Sequence, residues 1–235
     1  MSKTPPRINN MILAALSLRD YRRLLPDLEL ISLPIDVSLY HSGDVIEYVY
    51  FPGDGIVSLV TTMNNGTTIE VGLIGRDGMV GIPVLLGDDI AFEEAIVQVA
   101  GSGLRMKSAA FKKDLGKNHS SLLTQLLLYT RTLMKQVAQT AACNRLHTVE
   151  ERLARWLLMC HDRIDADDLP LKQEFISTML GTRRASVGSA ATGLQAEGVI
   201  RYSRGVINIL DRKELEEVAC ECYRAVAGKS AAHPT

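Results

Sequence analysis

Four arginines, Arg183, Arg184, Arg201 and Arg204, crowd into a short stretch near the C-terminus. Between residues 181 and 205 they face one carboxylate, Glu197, giving a local net charge of +3 in a chain whose formal charge is −1. A near-neutral chain does not hold a polyanion by bulk charge, but a local basic cluster can. Arginine presents two parallel donors that match O6 and N7 of guanine, at about 1–3 kcal/mol per base. The hydroxyls interleaved with these arginines, Thr182, Ser186 and Ser189, suit phosphate oxygens and base edges. An ordinary solvated face could also carry four arginines. Their placement at a helix start and at a hairpin tip favours contact with DNA.

The flanking pattern supplies elements that would position them. Gln173 to Leu180 reads as a short helix with Phe175, Ile176, Met179 and Leu180 apolar. Gly181 suits a tight turn between two crossing helices. Thr182 is expected to cap a second helix, about residues 183–196, whose inner face is Val187, Ala190, Ala191 and Leu194. After Glu197-Gly198, the runs Val199–Tyr202 and Val206–Leu210 predict a two-stranded wing with Ser203-Arg204-Gly205 at its tip. Together these describe a winged helix-turn-helix, whose second helix offers its N-terminal residues to the major groove.

Upstream, residues 8–28 have helical spacing and end at Pro26. Residues 30–107 change to short Val-, Ile- and Thr-rich runs, Val45–Phe51, Ile56–Thr62, Thr68–Ile74 and Ala95–Ala100, separated by Gly, Asp and Asn. Asn65-Gly66 between two such runs predicts a hairpin, because both residues tolerate positive φ. Many short strands imply a β-roll of jelly-roll type. Residues 108–147 return to helix with two apolar stripes: Leu122, Leu126, Tyr129 and Leu133, and Leu123, Leu127, Thr130, Met134, Val137 and Ala141. Two stripes have two surfaces to cover, the chain's own β-region and a second copy. Leu122, Leu126, Tyr129, Leu133 and Val137 are taken as the dimer contact, within a paired segment of about residues 117–144. Residues 148–164 form a further helix with Leu153, Trp156, Leu157 and Cys160 on one face. The expected organisation is α+β: a helical lead-in (1–29), a β-roll (30–107), a dimerisation helix (108–147) and a DNA-binding domain (148–235).

The run Gly181-Thr-Arg-Arg-Ala-Ser-Val-Gly, followed by Leu194-Gln-Ala-Glu-Gly-Val-Ile-Arg and Arg204-Gly, resembles the Crp/Fnr family of transcription regulators, relatives of the catabolite activator protein. The resemblance spans nearly the whole chain, and it implies that the β-roll is of the cyclic-nucleotide-binding kind. It implies a homodimer on a two-fold symmetric double-stranded operator, with RNA polymerase as a partner of an activator. Arg184 would be the main base reader, with Arg183 and Ser186 near phosphates. Ala185 stands where many members carry a base-contacting Glu, and Ser189 where the catabolite activator has an Arg, so the resemblance does not carry over an operator sequence.

In cyclic-AMP-binding members a Glu holds the ribose and an Arg the phosphate. By resemblance the effector pocket includes Gly81, Ile82, Val84 and Glu94. Ile82 falls at the Glu position, and Glu94 or a close neighbour at the Arg position, where a carboxylate would repel phosphate. Val137 and Ala138 replace base-contacting hydroxyls on the long helix. No Arg lies between Arg76 and Arg105. A cyclic-AMP site is therefore not expected, and the effector is left open.

Other chemistry finds little support. Iron–sulfur members use an N-terminal Cys cluster, yet no Cys precedes Cys143. Cys143, Cys160, Cys220 and Cys222 lack the spacing of a disulfide framework. The CxC pair Cys220/Cys222 has no second pair or neighbouring His in sequence, so plain thiols near a helix end are expected, with no metal and no cofactor. His41 and His119 are isolated and read as surface or capping residues. A cupin-type metalloenzyme needs several His ligands, and residues 30–107 hold only His41. GxSxG, P-loop and HExxH motifs are absent, so no catalytic residue is assigned. A ligand-binding module acting through protein contacts alone is the remaining alternative. With no apolar run near 18 residues and no signal-peptide core, a cytoplasmic protein without membrane association is expected.

Overall fold

The computed structural model describes residues 9–116, 121–164 and 166–227. Ile8 of the predicted lead-in, His119 and the start of the predicted paired segment lie outside them. The chain divides into two compact units, residues 1–59 with 74–133, and residues 60–73 with 134–235.

The chain opens with α1 (Met11–Ala14) and α2 (Leu18–Leu24), capped by Asn10 and Ser17, and Pro26 then tightens Leu25–Asp27 into a 3₁₀ turn. Seven strands follow: β1 (Glu29–Leu33), β2 (Ser38–Tyr40), β3 (Tyr48–Pro52), β4 (Ile56–Thr62), β5 (Thr68–Ile74), then after α3 (Ile82–Leu86), β6 (Glu94–Val99) and β7 (Gly101–Lys107). They form two sheets, ordered β1-β7-β3 and β2-β6-β4-β5. β4 and β5 match the ranges expected from alternation. β1, β2 and β7 were not anticipated: β1 and β7 carry exposed or glycine-rich stretches, and β2 is three residues long. The β4–β5 turn uses positive φ at Gly66 alone, and Gly66 N–H donates to Met63 O at 2.8 Å. This is a three-residue loop, a type I turn closed by a left-handed glycine.

The long helical region is interrupted. α4 (Ser108–Leu115) ends before α5 (Ser121–Leu146) begins. Arg23 Nε donates to Asp114 Oδ1 at 2.8 Å, and Asp20 accepts from both Arg23 and Ser121, tying α2 to α4 and α5.

The stripe assigned to a partner is corrected here. Leu122 and Leu126 are fully buried, and Tyr129 and Leu133 are 9% exposed, within their own chain. Tyr129 lies against Gly78 so closely that a Cβ there would sit 2.5 Å from the ring. The bare stripe holds Leu127, Met134 and Val137, at 55%, 68% and 39% exposure.

In the second unit α6 (Val149–His161) starts at a capping box between Thr148 and Glu151 and buries the expected Leu153, Trp156, Leu157 and Cys160. Trp156 Nε1 donates to buried Glu70 Oε1 at 3.0 Å. Next come β8 (Asp168–Leu169), α7 (Gln173–Met179), α8 (Arg184–Ala196), β9 (Ile200–Ser203), β10 (Val206–Ile209), α9 (Arg212–Val218) and α10 (Cys222–Val226). Arg212 joins Asp162, Glu216 and Tyr223, which fastens α9 and α10 to the end of α6.

Candidate nucleic-acid interface

The helix-turn-helix is built on the apolar spacing read from the sequence. Ile176 and Met179 of α7, together with Val187, Ala190, Ala191 and Leu194 of α8, are buried. Gly181 makes the turn at φ +57°, where a Cβ would also meet the Ile69 side chain at 2.5 Å. A left-handed conformation with no room beside it requires glycine.

The start of α8 departs from expectation by one residue. Thr182 does not cap it. Arg183 holds the extended N-cap conformation and no side chain caps the helix. The N–H groups that open α8 are therefore not satisfied by a side-chain cap, and the N-terminal end of the helix dipole favours a phosphate there. Arg183, Arg184 and Ser189 are exposed, and Thr182 and Ser186 are half-buried. An open groove of about 840 Å³ lies beside this helix start, lined by Thr67, Thr68, Ser177, Thr178, Arg183 and Ser186 among others. Arg184 rests in an ion pair with Glu174 of α7, both side chains more than 60% exposed. Such a pair contributes at most about 1 kcal/mol and is readily exchanged for a stronger acceptor.

The wing is three-stranded rather than two-stranded, in the order β8-β10-β9, because Asp168 and Leu169 pair with Asn208 and Ile207. Arg204 and Gly205 form the two-residue turn at φ +52° and +78°, the mirror-image geometry favoured by twisted hairpins. Strand alternation turns Ile200, Ile207 and Ile209 inward and leaves Arg201 exposed, with Arg204 exposed at the tip. Gln195 Oε1 accepts from Tyr202 N–H at 2.9 Å and Tyr202 OH donates to Leu171 O at 3.1 Å, which seats the wing against the helices. The exposed Lys172 was not singled out in the sequence. Its side chain runs past the wing turn, where a Cβ on Gly205 would stand 3.5 Å away.

In the β-roll, Gly81 takes φ +101° ahead of α3, and Ile82 and Val84 are buried. Glu94, expected in the effector pocket, is half-buried. It bonds Ser38 Oγ and His41 Nδ1 toward the surface, while its neighbour Glu93 is 3% exposed. Adjacent residues entering a strand point to opposite faces. His41 is two-thirds exposed on its side chain, where its ring meets Glu94, and its backbone N–H donates to Asp44 Oδ2 at 2.9 Å. Arg105 pairs with Glu29 and stacks on Tyr48 at 4.2 Å.

The isolated reading of the late cysteines is also corrected. Cys143 and His147 from the end of α5 stand beside Cys220 and Cys222. Each pair is separated from the other by more than seventy residues, so only the closed fold brings them together.

Comparison with known proteins agrees with this geometry. The profile of the Crp-like helix-turn-helix domain matches residues 151–218, and that of the cyclic nucleotide-binding domain matches residues 30–118. Transcriptional regulator SdrP of Thermus thermophilus is 27% identical over 191 residues, covering 77% of this chain and 92% of SdrP. FixK2 of Bradyrhizobium japonicum superposes with a TM-score of 0.70 at 19% identity, over 82% of this chain and 98% of FixK2. The c-di-GMP-responsive global regulator CLP of Xanthomonas campestris gives a TM-score of 0.68 at 14% identity, over 83% of this chain and all of CLP. Among the described residues no helix is long and apolar enough to cross a membrane. With both domain profiles matched in order and a regulator aligned across them, this chain belongs to the Crp/Fnr family of transcriptional regulators.

Proposed function

We propose that this protein acts in the cytoplasm as a homodimeric, sequence-specific regulator on double-stranded DNA, and not as an enzyme. The first turns of α8 enter the major groove, Arg184 reads a base, and Arg201 and Arg204 hold phosphates from the wing. The observation that carries this reading is the exposed, uncapped start of α8 with Arg183 and Arg184 upon it. Two copies pair along the bare face of α5, at Leu127, Met134 and Val137. As an activator, the dimer would engage RNA polymerase.

The effector of the β-roll is not a cyclic nucleotide. A buried carboxylate, Glu93, occupies the interior near the region where a phosphate would need a cation. Micromolar cyclic-nucleotide binding in calorimetry would overturn this part. Any effector must bind one arrangement of the dimer better than another, or it shifts nothing.

The test is a genome-wide occupancy map followed by footprinting of the recovered operator. Arg184→Ala is expected to lose about 1–3 kcal/mol per half-site and relax specificity at one base pair. A footprint identical to that of the wild type removes Arg184 as the reader.

A further inference from the structure

Three of the four cysteines and one histidine converge on a place that DNA binding does not use. Cys143 and His147 sit one helical turn apart at the end of α5, and His147 N–H still donates to Cys143 O at 3.1 Å. Cys220 and Cys222 flank Glu221 in the bend between α9 and α10. Three sulfurs and one imidazole nitrogen, one donor atom from each residue, all lie within 4.8 Å of one another. Cys143 Sγ is 3.5 Å from Cys220 Sγ, and Cys222 Sγ is 3.6 Å from His147 Nδ1.

These separations fit one coordination shell. Zinc–sulfur bonds of about 2.3 Å set tetrahedral sulfur–sulfur edges near 3.8 Å, and sulfur–nitrogen edges are slightly shorter. A disulfide would require about 2.05 Å, so the sulfurs are unbonded thiols. Buried thiols can serve as small apolar groups. That role does not account for an imidazole whose Nδ1 faces a sulfur while Nε2 lies 3.2 Å from the Glu221 carboxylate. Donation from Nε2–H to a carboxylate leaves the Nδ1 lone pair for a metal and fixes the ring.

Donors and cations surround the sulfurs. Gln139 Nε2 donates to Cys222 Sγ at 3.1 Å. Arg152 and Arg155 are buried at 9% and 5% exposure, and both act electrostatically with Cys143. Three thiolates around a divalent ion leave one net negative charge, which buried cations offset.

We propose that Cys143, Cys220, Cys222 and His147 Nδ1 bind a single thiophilic divalent cation, with zinc the best fit, as a clamp between the end of α5 and the α9–α10 bend. Four protein ligands close the coordination sphere, so the site is structural, with no open position for catalysis. The ligands must shed their protons to bind, so loading releases protons.

The test uses full-length reduced protein, stripped by a chelator and titrated with zinc against a chromogenic competitor, and in parallel with cobalt(II). One equivalent per chain is expected. Cobalt should give sulfur-to-metal charge transfer and the strong visible bands of tetrahedral coordination. Cys222→Ser and His147→Ala should weaken zinc binding by about tenfold or more, and exposed Glu221→Gln by about 10–100-fold with stoichiometry kept. Because Glu221 is at the surface, its variant keeps the test readable if a cysteine variant does not fold. Cys160→Ala, outside the cluster, should bind as the wild type does. Failure of fully reduced protein to take up an equivalent overturns the assignment. So does a Cys143–Cys220 disulfide in its place, an octahedral cobalt spectrum, or wild-type affinity in Glu221→Gln. Metal content is read without DNA, so either result leaves the DNA-binding reading to its own experiment.

Discussion

Inside the β-roll, Glu93 is almost fully covered. Its Oε1 accepts from the Tyr40 hydroxyl at the long limit of 3.5 Å, and its Oε2 has no hydrogen-bond partner among the described residues. Burial raises its pKa, and the Tyr40 contact opposes that only in part. A carboxyl whose folded pKa exceeds its unfolded value, about 4.3, binds more protons when folded. Its contribution is fully present below the unfolded value and is lost as pH rises through the folded one. Glu93→Gln keeps the shape and removes the charge. It should therefore raise the melting temperature at neutral pH, and the advantage should vanish on acidification toward pH 4. Melting curves of both proteins across pH provide the check. A difference that is constant with pH, or that grows toward acid, would show that ionisation of Glu93 is not what destabilises this site. The same charge disfavours a bound phosphate. The resemblance puts Glu94 or a close neighbour at the phosphate-binding position, and of these two carboxylates the fold buries Glu93, since the strand's phase is set by packing rather than composition.

At the scale of elements, the proposed binding mode divides the work between α8 and the wing. The wing turn holds Arg204 at positive φ with its side chain exposed. Arg204→Ala should weaken binding to all sequences alike and reduce the salt dependence by about one counterion per chain. Titrations at several salt concentrations on operator and scrambled DNA measure this. A loss confined to one base pair would assign Arg204 to readout instead. The helix-turn-helix was legible in advance because local signals agree there: apolar spacing at 3.6 residues, Gly181 at a forced turn, and alternation in β9 and β10. β4 and β5 were legible for the same reason. β8 was not, because two residues in an acidic connection carry no periodicity and pair only because β10 offers an edge. The N-cap of α8 is Arg183 rather than Thr182, whose N–H instead closes the turn by donating to Ser177 O at 3.0 Å. The Cys143–His147–Cys220–Cys222 cluster was invisible because its two halves are remote in sequence and neither half is a metal motif alone.

At the scale of the whole molecule, the proposed dimer turns on which stripe of α5 would meet a second copy. Periodicity revealed both stripes but could not say which one the chain covers itself. Burial answers that for Leu122, Leu126, Tyr129 and Leu133, and leaves Leu127, Met134 and Val137 bare on the same helix. A two-fold axis makes such a stripe self-complementary, since each residue meets its counterpart's neighbours. It also supplies the symmetry needed to place two α8 helices on half-sites about 34 Å apart. Leu127→Glu with Met134→Glu should therefore give monomers in sedimentation equilibrium and abolish cooperative binding to a two-fold operator, while leaving the fold intact. Leu126→Ala should act differently. It opens a cavity in the chain's own core and should lower stability by about 2–5 kcal/mol without dissociating the dimer at temperatures where it stays folded. A dimer that survives both glutamates would place the subunit contact elsewhere, and monomers from Leu126→Ala alone would return the interface to the buried stripe.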